Sequence, residues 1–272
     1  MAASRHWVHL LMGTVCVLVV FPVLWMISTA LKAPNEIFAG TFDLWPARAT
    51  LENFATALTQ VPMVRLFGNS LLVAIAVTIA QAVTSTLAAY ACTILKPPGR
   101  HVWFALFVAT MMVPFQVTMI PNYLLFARLE MLNTYTALII PQVVTGYGIF
   151  MLRQTFKNLP GSLVEAGILD GANSWQVLWR IVVPATRTAL ASLSVLFFIN
   201  TWNQYLWPLL VTTDKLMKTL PVGMQEFVSL EGGTNWGPLM AAASMAVVPA
   251  LSAYVVAQRY VLDSFVSAGL KE

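Results

Sequence analysis

One segment decides the fold of this chain: Glu165-Ala166-Gly167-Ile168-Leu169-Asp170-Gly171-Ala172, which is followed by Ile181 and Pro184. It belongs to a loop of residues 158–184 that lies between two long hydrophobic stretches. Pro160 suits the first turn of a helix, where the N–H that proline lacks is not needed. Gly171 can adopt the left-handed conformation that ends a helix. The loop is therefore predicted to contain a short helix between Pro160 and Gly171.

The loop is predicted to form a pair of amphipathic helices. In the first, Leu163, Ala166 and Ile168/Leu169 give one apolar face, while Glu165 and Asp170 form a polar one. Ser174 is predicted to be the N-cap of the second helix. Such a hairpin is too short and too polar to cross a bilayer. It lies either in the groove of a partner protein or, as an ordinary connector, on the lipid headgroups.

The composition around this loop is that of a membrane protein. Hydrophobic residues make up 58% of the 272-residue chain and charged residues only 10%, with a mean hydropathy of +0.75. A soluble domain carries about a quarter charged residues. The neutral stretches are long enough to cross roughly 30 Å of hydrocarbon as helices. We predict a single all-α integral membrane domain over residues 1–272, with six transmembrane helices at about 7–31, 67–95, 102–121, 134–152, 186–211 and 237–258.

The distribution of charge predicts the orientation of these spans. With six spans, both termini lie on one side of the membrane, and that side carries nine of the Lys and Arg residues against six on the other. The excess predicts that both termini are cytoplasmic. The net charge of +4 then reflects topology, and no basic run interleaved with aromatic residues indicates nucleic-acid binding. The first apolar stretch, about 25 residues long, is too long for a cleavable signal sequence and is predicted to be retained.

The sequence offers no residues for catalysis or metal binding. It lacks the G-x-x-x-x-G-K-[ST] loop that cradles nucleotide phosphates, so any ATP must bind to another subunit. His6, His9 and His101 fall near the ends of spans without metal-binding or nucleophilic partners. Cys16 and Cys92 both fall inside spans and are predicted to be buried structural thiols. We expect a chain that is not an enzyme and binds no cofactor or metal.

Polar residues at membrane depth are candidates for a solute path, because they are costly unless they face a cavity or a neighbouring helix. In the predicted fifth span, Asn200, Asn203 and Trp207 share one helical face at i, i+3 and i+7. Trp202 and Tyr205 add aromatic rings near the outer end. Amides and rings together suit a hydroxylated solute. The alternatives are hydrogen bonding between helices and an ordinary aromatic belt. Further amide candidates, in other parts of the chain, are Gln81, Gln116, Asn122 and Gln142.

The loop of residues 158–184 resembles the EAA loop by which permease subunits of binding-protein-dependent ABC importers dock onto their ATPases. The matching residues are Leu159-Pro160, Glu165-Ala166-Gly167, Asp170-Gly171-Ala172, Ile181 and Pro184. The resemblance to the maltose-type permeases continues through 150–156 and covers nearly the whole chain. Two residues depart from the family pattern: Gly167 stands at a usual alanine, and Thr188 at a frequent second proline. Both changes affect the local rigidity of a helix.

This resemblance implies a type I ABC importer permease of the bacterial inner membrane. Its partners would be a second, related permease, two ABC ATPase subunits that bind ATP and Mg²⁺, and an extracytoplasmic solute-binding protein. Glu165 would pair with a basic residue of the ATPase, and Gly171 would allow close approach of the backbone. The outer loop 212–236 would reach into the binding protein. It carries Glu231, Gly232 and Gly233, where the glycine pair allows a sharp turn. A plain solvated connection is the alternative for this loop.

The sequence of residues 202–209 resembles the glycerol-3-phosphate branch of this family. No Lys or Arg lies at the membrane depth of a predicted span, so a phosphate group would not be held by a buried cation of this subunit. A neutral di- or oligosaccharide is the direct alternative solute. A more distant alternative is an ion-coupled secondary transporter, which would need internal repeats or ionisable residues inside the spans. A structural or assembly membrane protein is the remaining alternative.

Overall fold

A computed structural model describes residues 2–37, 44–229 and 233–269. Its described part consists of helices and one two-stranded hairpin. The helices are α1 (Ala2–Leu31), α2 (Glu52–Gln60), α3 (Met63–Tyr90), α4 (Arg100–Thr110), α5 (Phe115–Arg128), α6 (Tyr135–Ile139), α7 (Gly146–Lys157), α8 (Gly161–Leu169), α9 (Ser174–Gln176), α10 (Val183–Ala185), α11 (Arg187–Trp202), α12 (Leu206–Val211), α13 (Leu220–Gly223) and α14 (Trp236–Gly269). The strands β1 (Val228–Ser229) and β2 (Gly233–Thr234) are antiparallel.

Short turns of other helical types connect several of these elements. Two π-helical turns occur, at Ala91–Leu95 after α3 and at Val177–Val182 between α9 and α10. Two 3₁₀ turns occur, at Ile140–Gln142 after α6 and at Met224–Phe227 after α13.

Three helices are long and apolar enough to cross a membrane unbroken: Trp7–Leu31, Met63–Leu95 and Trp236–Val256. Three further candidates are bent pairs, with angles of 93° between α4 and α5, 44° between Tyr135–Gln142 and α7, and 81° between Ser174–Ala185 and α11. Counting each pair as one span gives up to six, the number that the hydropathy of the sequence predicts, although the last pair begins inside the loop 158–184 and not at residue 186. The predicted continuity of the third, fourth and fifth spans, however, is wrong.

The third span is interrupted before Pro114. Helix α4 ends at Thr110 and α5 begins at Phe115, whereas the hydropathy of the sequence predicts one helix over residues 102–121. Proline disfavours helical geometry at the residue before it, and Pro114 itself has an extended ψ of 135°. The chain therefore turns by 93° at this point, and α5 then continues through Pro121 to Arg128.

The fifth span is also shorter than predicted. Helix α11 stops at Trp202, and α12 starts at Leu206 as a separate six-residue helix. Pro208 occupies the first turn of α12, where its missing N–H costs nothing. The predicted continuous helix over residues 186–211 is therefore two helices.

The break between α6 and α7 is closed by side chains of α3. Gln81 Nε2 donates to the carbonyl oxygen of Gln142 at 2.7 Å, and Thr84 Oγ1 donates to that of Val143 at 2.8 Å. Backbone carbonyls freed at membrane depth need such partners because no water is available there. For Gln81 the structure thus supports hydrogen bonding between helices rather than contact with a solute. Gln142 Nε2 likewise donates within its own turn, to the Leu138 carbonyl at 2.8 Å.

The chain separates into two compact units. The first comprises Met1–Gly68 and Lys218–Pro249. In it, the buried side chain of Asn53 donates from Nδ2 to the carbonyl oxygens of Ala30, at 3.0 Å, and Lys32, at 2.7 Å. These bonds satisfy carbonyls at the end of α1, where no intrahelical partner exists. Cys16 lies on an exposed apolar face of α1, so the prediction that it is buried is wrong.

The second unit comprises Asn69–Met217 and Ala250–Glu272 and contains two apolar clusters. One surrounds Trp207 and draws on α3, α5, α6 and α12. Its buried members are Val73, Val77, Phe126, Ala137, Leu138, Trp207 and Val211. The other, which we call the loop cluster, joins residues of loop 158–184 to α3, α7 and α11. Its buried members are Ala89, Tyr90, Leu152, Phe156, Val164, Val177, Leu178, Val182, Leu193 and Phe197. Cys92, close to the loop cluster in sequence, is buried as predicted.

Candidate coupling surface

Helix α8 is closed at its end by a pair of backbone hydrogen bonds around Gly171. The N–H of Gly171 donates to the carbonyl of Ile168, and that of Ala172 to the carbonyl of Gly167, both at 3.0 Å. This is the Schellman arrangement, which requires a left-handed residue after the last helical turn. Gly171 has φ +82°, as predicted from the sequence, and glycine adopts this conformation without steric cost.

Asn173, and not Ser174, is the N-cap of the second helix of the loop. Asn173 Oδ1 accepts a hydrogen bond from the backbone N–H of Gln176 at 2.9 Å, and Gln176 Oε1 accepts one from the N–H of Asn173 at 2.9 Å. This reciprocal pair is a capping box. Because the Schellman turn ends at Ala172, the cap falls one residue earlier than predicted, and Ser174 becomes the first residue of α9.

The face that α8 buries within this chain is not the apolar face predicted from the sequence. Val164 and Gly167 point inward, whereas Leu163, Ala166, Ile168 and Leu169 are exposed. Leu169 is 88% exposed and Ile168 is 58% exposed. Glu165 and Asp170 are exposed beside them, as predicted. We call the exposed side chains of α8 and its C-cap the α8 surface: Leu163, Glu165, Ala166, Ile168, Leu169 and Asp170. An exposed apolar patch with a polar rim is typical of a protein interaction site.

Gly167 lies directly against Ile181. A β-carbon at position 167 would meet Ile181 Cδ1, so an alanine here would require the end of the Ile181 side chain to move. Ile181 itself packs against the loop cluster. The departure from the usual alanine thus has a local reason in the packing of this chain. Pro184 is exposed and lies in the first turn of α10, and the chain bends two residues later, between Ala185 and Arg187.

The second helix of the loop has two further contacts that its local sequence does not predict. Trp175 and Trp179 form an edge-to-face pair with ring centroids 6.0 Å apart, and they are 61% and 40% exposed. Tyr90 of α3 donates from its hydroxyl to the carbonyl oxygen of Ser174 at 2.8 Å. Nothing in the local sequence around Tyr90 indicates this contact, because the partner lies 84 residues away.

Arg153 is buried, although the predicted fourth span ended just before it. It lies inside α7, is 8% exposed and places its guanidinium carbon 3.7 Å from the ring centroid of Phe104 in α4. This is a cation–π contact, which is stronger when the cation is desolvated. Its Nε has no hydrogen-bond partner among the described residues. Helix α7 therefore continues beyond the predicted end of the fourth span at residue 152 and carries a buried cation there.

Trp207 is a core residue, and its assignment to the solute path is wrong. Its side chain is 0% exposed, and its Nε1 donates to the carbonyl oxygen of Ala137 at 2.9 Å. The rings of Phe115 and Phe126 meet it edge-on, each with a centroid distance of 6.2 Å. Because the helix breaks after Trp202, Trp207 does not continue the helical face of Asn200.

Trp202 is also buried, so it presents no ring to a solute in this structure. It is 3% exposed and stacks on Phe198 with a centroid distance of 5.9 Å. Asn203 is the C-cap of α11, and its backbone N–H donates to the carbonyl of Ile199 at 3.1 Å. The predicted shared face of Asn200, Asn203 and Trp207 is therefore wrong.

The other solute-path candidates keep accessible side chains. Asn200, Asn203 and Gln116 are exposed, whereas Asn122 and Tyr205 are half-buried. In the parts of the chain that the structure describes, none of the four amides makes a side-chain hydrogen bond, so the structure does not link them into one site.

The loop of residues 212–236, which the sequence predicts to be extracytoplasmic, has more structure than a plain connection. It contains α13, a 3₁₀ turn and the hairpin in which Val228 pairs with Thr234 and Ser229 with Gly233. Gly233 has φ +79°, so the predicted need for glycine holds at this position. Glu231 and Gly232 lie outside the described residues.

Comparison with known proteins identifies the family. Residues 81–265 match the family described as "Binding-protein-dependent transport system inner membrane component". The chain is 32% identical over 266 residues to the sn-glycerol-3-phosphate transport system permease protein UgpE of Rhizobium meliloti, covering 95% of this chain and 94% of that protein. It is 31% identical over 255 residues to the arabinooligosaccharides transport system permease protein AraQ of Halalkalibacterium halodurans, covering 93% and 91%.

A solved structure confirms the fold class. The chain aligns with a chain of a bacterial ABC transporter involved in the import of the acidic polysaccharide alginate, with a TM-score of 0.85. The alignment covers 95% of this chain and 96% of that one at 20% identity. The predicted all-α fold of a type I importer permease is thereby confirmed. The family match spans more than half of the chain and the relatives match nearly all of it, so this protein belongs to the binding-protein-dependent transport system inner membrane components and is a multi-pass permease subunit of the inner membrane.

Proposed function

We propose that this chain is a permease subunit of an ATP-driven importer of glycerol-3-phosphate or a related glycerophospho-compound. The observation that carries the choice of solute is the similarity to glycerol-3-phosphate permeases over 95% of the chain. The alternative is an oligosaccharide, which the similar identity to an arabinooligosaccharide permease supports. Residues 1–272 would act as one transmembrane domain.

The α8 surface is proposed to dock into a groove of an ABC ATPase. Leu169 and Ile168 would supply apolar contact area, and Glu165 would pair with a basic residue of the ATPase. Gly171 would allow the ATPase backbone to approach, because it has no side chain and nothing else lies within 4 Å of its β-carbon position. The whole complex would contain this chain, a second related permease, two ATPase subunits with ATP and Mg²⁺, and an extracytoplasmic binding protein.

Closure of the two ATPases would tilt the loop 158–184 and, through the loop cluster, move α3, α7 and α11. ATP hydrolysis by the ATPases would then reset the complex. In this arrangement the loop 158–184 and both termini face the cytoplasm, as the excess of Lys and Arg on that side favours. The outer loop, including Glu231, Gly232 and Gly233, would meet the binding protein.

The solute would meet accessible amide and phenol groups at membrane depth. Asn200 and Asn203 at the end of α11, with Tyr205 in the break before α12, remain the proposed contacts. Gln116 and Asn122 of α5 are further candidates. A helix break inside a span exposes backbone groups that a polar solute can use, and this is where transporters bind their substrates.

The test is reconstitution of this chain with its neighbouring permease, ATPase and binding protein in proteoliposomes. We expect glycerol-3-phosphate to stimulate ATP hydrolysis, and maltose and trehalose not to. Stimulation by a sugar alone would overturn the proposed solute but keep the importer. Glu165→Lys should lower ATPase association and transport together, since it reverses the charge at the proposed contact. Unchanged transport in that variant would contradict the role of Glu165.

A further inference from the structure

We propose that the hydroxyl group of Tyr90 transmits movement of the loop 158–184 to helix α3, which makes Tyr90 a positioning residue for transport. The inference rests on the proposed coupling function of this loop. Tyr90 is the last residue of α3, is 4% exposed and belongs to the loop cluster. Its hydroxyl donates to the carbonyl oxygen of Ser174, the first residue of α9, at 2.8 Å.

The loop is flanked in sequence by α7 and α11. Among the described residues, this bond to α3 is the one hydrogen bond between the loop and any other helix. The remaining hydrogen bonds of the loop are local, such as the Schellman pair around Gly171 and the capping box of Asn173. All other described attachment of the loop to α3 is apolar packing in the loop cluster. Apolar packing is non-directional, whereas a hydrogen bond fixes both distance and angle. Tyr90 therefore sets the position of the loop relative to α3.

Both partners of this bond lie beside a π-helical turn. Tyr90 directly precedes the turn Ala91–Leu95, and Ser174 lies three residues before the turn Val177–Val182. These are the two π-helical turns of the described chain. Helices bend at π turns because the regular hydrogen-bond ladder is interrupted there, and such turns are frequent at functional sites. The bond thus joins two helices next to the points where each can change direction.

Transmission of movement from the loop to α3 depends on a single atom, the hydroxyl oxygen of Tyr90. When the loop tilts, the Ser174 carbonyl moves with α9, and the hydroxyl of Tyr90 carries the end of α3 with it. Without the hydroxyl, the ring still fills its place in the loop cluster, but α9 can slide past α3. ATP hydrolysis would then continue with less movement of the solute path.

The experiment compares Tyr90→Phe with the wild type in the reconstituted four-component importer. Transport and ATP hydrolysis are measured in parallel, together with ATPase co-purification and the melting temperature. We expect the amount of solute moved per ATP hydrolysed to fall about two- to tenfold, the range that one ordinary hydrogen bond supports. ATPase association should be unchanged. Tyr254→Phe, the same change at a tyrosine of α14 that is 50% exposed, should leave the ratio as in the wild type.

The outcomes separate this inference from the proposed function. An unchanged ratio in Tyr90→Phe would overturn the inference, and so would an equal loss of transport and ATP hydrolysis, which indicates a merely structural role. If wild-type complexes showed no ATPase coupling at all, the proposed function itself would fail.

A second comparison applies if Tyr90→Phe does not fold. 4-Aminophenylalanine at position 90 keeps the ring and a hydrogen-bond donor, whereas 4-methylphenylalanine keeps the size and removes the donor. The inference requires the wild-type ratio with the first and a reduced ratio with the second. Equal ratios with both would contradict it.

Discussion

Trp207 fits the helical spacing of a solute-binding face in the sequence, but it is a core residue in the structure. It follows Asn200 and Asn203 at helical spacing, and an indole among amides suits a sugar-like solute. In the structure its ring is instead buried against Phe115 and Phe126, and its N–H donates to the carbonyl oxygen of Ala137. A spacing argument assumes a continuous helix, and three non-helical residues after Trp202 remove that assumption.

Trp207→Phe should therefore lower stability without changing solute affinity. The substitution loses the hydrogen bond to Ala137 and part of the buried ring, which together should cost about 1–3 kcal/mol. Thermal unfolding of the detergent-solubilised protein measures this loss. Trp175→Phe is the matched control, because Trp175 is 61% exposed and should leave the melting temperature nearly unchanged. A changed apparent affinity in transport, with wild-type stability, would return Trp207 to the solute path.

Helix α8 shows which part of an element the sequence predicts and which it does not. Its ends follow from local chemistry, since Pro160 and Gly171 act through their own backbone preferences. Its buried face does not, because apolar residues surround the helix and periodicity cannot tell an intramolecular contact from a contact with another subunit. Val164 and Gly167 face the loop cluster, and the larger Ile168 and Leu169 remain exposed.

The exposed face of α8 predicts the behaviour of Leu169→Ala. Because Leu169 is 88% exposed, its truncation should leave the stability of the isolated permease unchanged. Binding of the ATPase should weaken about tenfold, since burial of a leucine side chain contributes about 1.5–3 kcal/mol and tenfold corresponds to about 1.4 kcal/mol. Titration of the permease in nanodiscs with the ATPase measures the effect.

Leu216→Ala provides the control for this titration. Leu216 is 52% exposed and lies in the predicted outer loop, so its loss should not affect ATPase binding. Equal affinities for the two variants would argue against the α8 surface as the docking site.

At the scale of the whole molecule, hydropathy predicts the number and order of the spans but not their shape. A run of apolar residues can be one helix or two, and the sequence of residues 102–121 does not say how sharply Pro114 turns the chain. The angles of 93° and 81° depend on packing against other helices. Gln81 and Thr84 show the same limit of sequence-based prediction. Their hydrogen bonds to the carbonyls of Gln142 and Val143 depend on how α3 packs against the break, which the sequence does not give.

The predicted orientation can be tested with impermeant maleimides on intact cells. In a Cys16→Ser, Cys92→Ser background, Leu216→Cys should react from outside, whereas Leu169→Cys should react only after permeabilisation. The reason is that an odd number of spans separates the two loops and the Lys and Arg excess places the loop 158–184 inside. Labelling of Leu169→Cys in sealed cells would reverse the topology and exclude contact with a cytoplasmic ATPase.

The near-right angle between Ser174–Ala185 and α11 has a mechanical consequence. Twelve residues at 1.5 Å each make this segment a lever arm of about 18 Å attached to the end of a spanning helix. Rotation of α11 by about 10° about its own axis would move the far end of this arm, at Ser174, by roughly 3 Å, given the arm length that follows from the helical rise. That displacement is as long as the hydrogen bond that ends there. A small rotation of α11 would therefore displace Ser174 so far that the end of α3 has to follow if the hydrogen bond to Tyr90 is to stay formed.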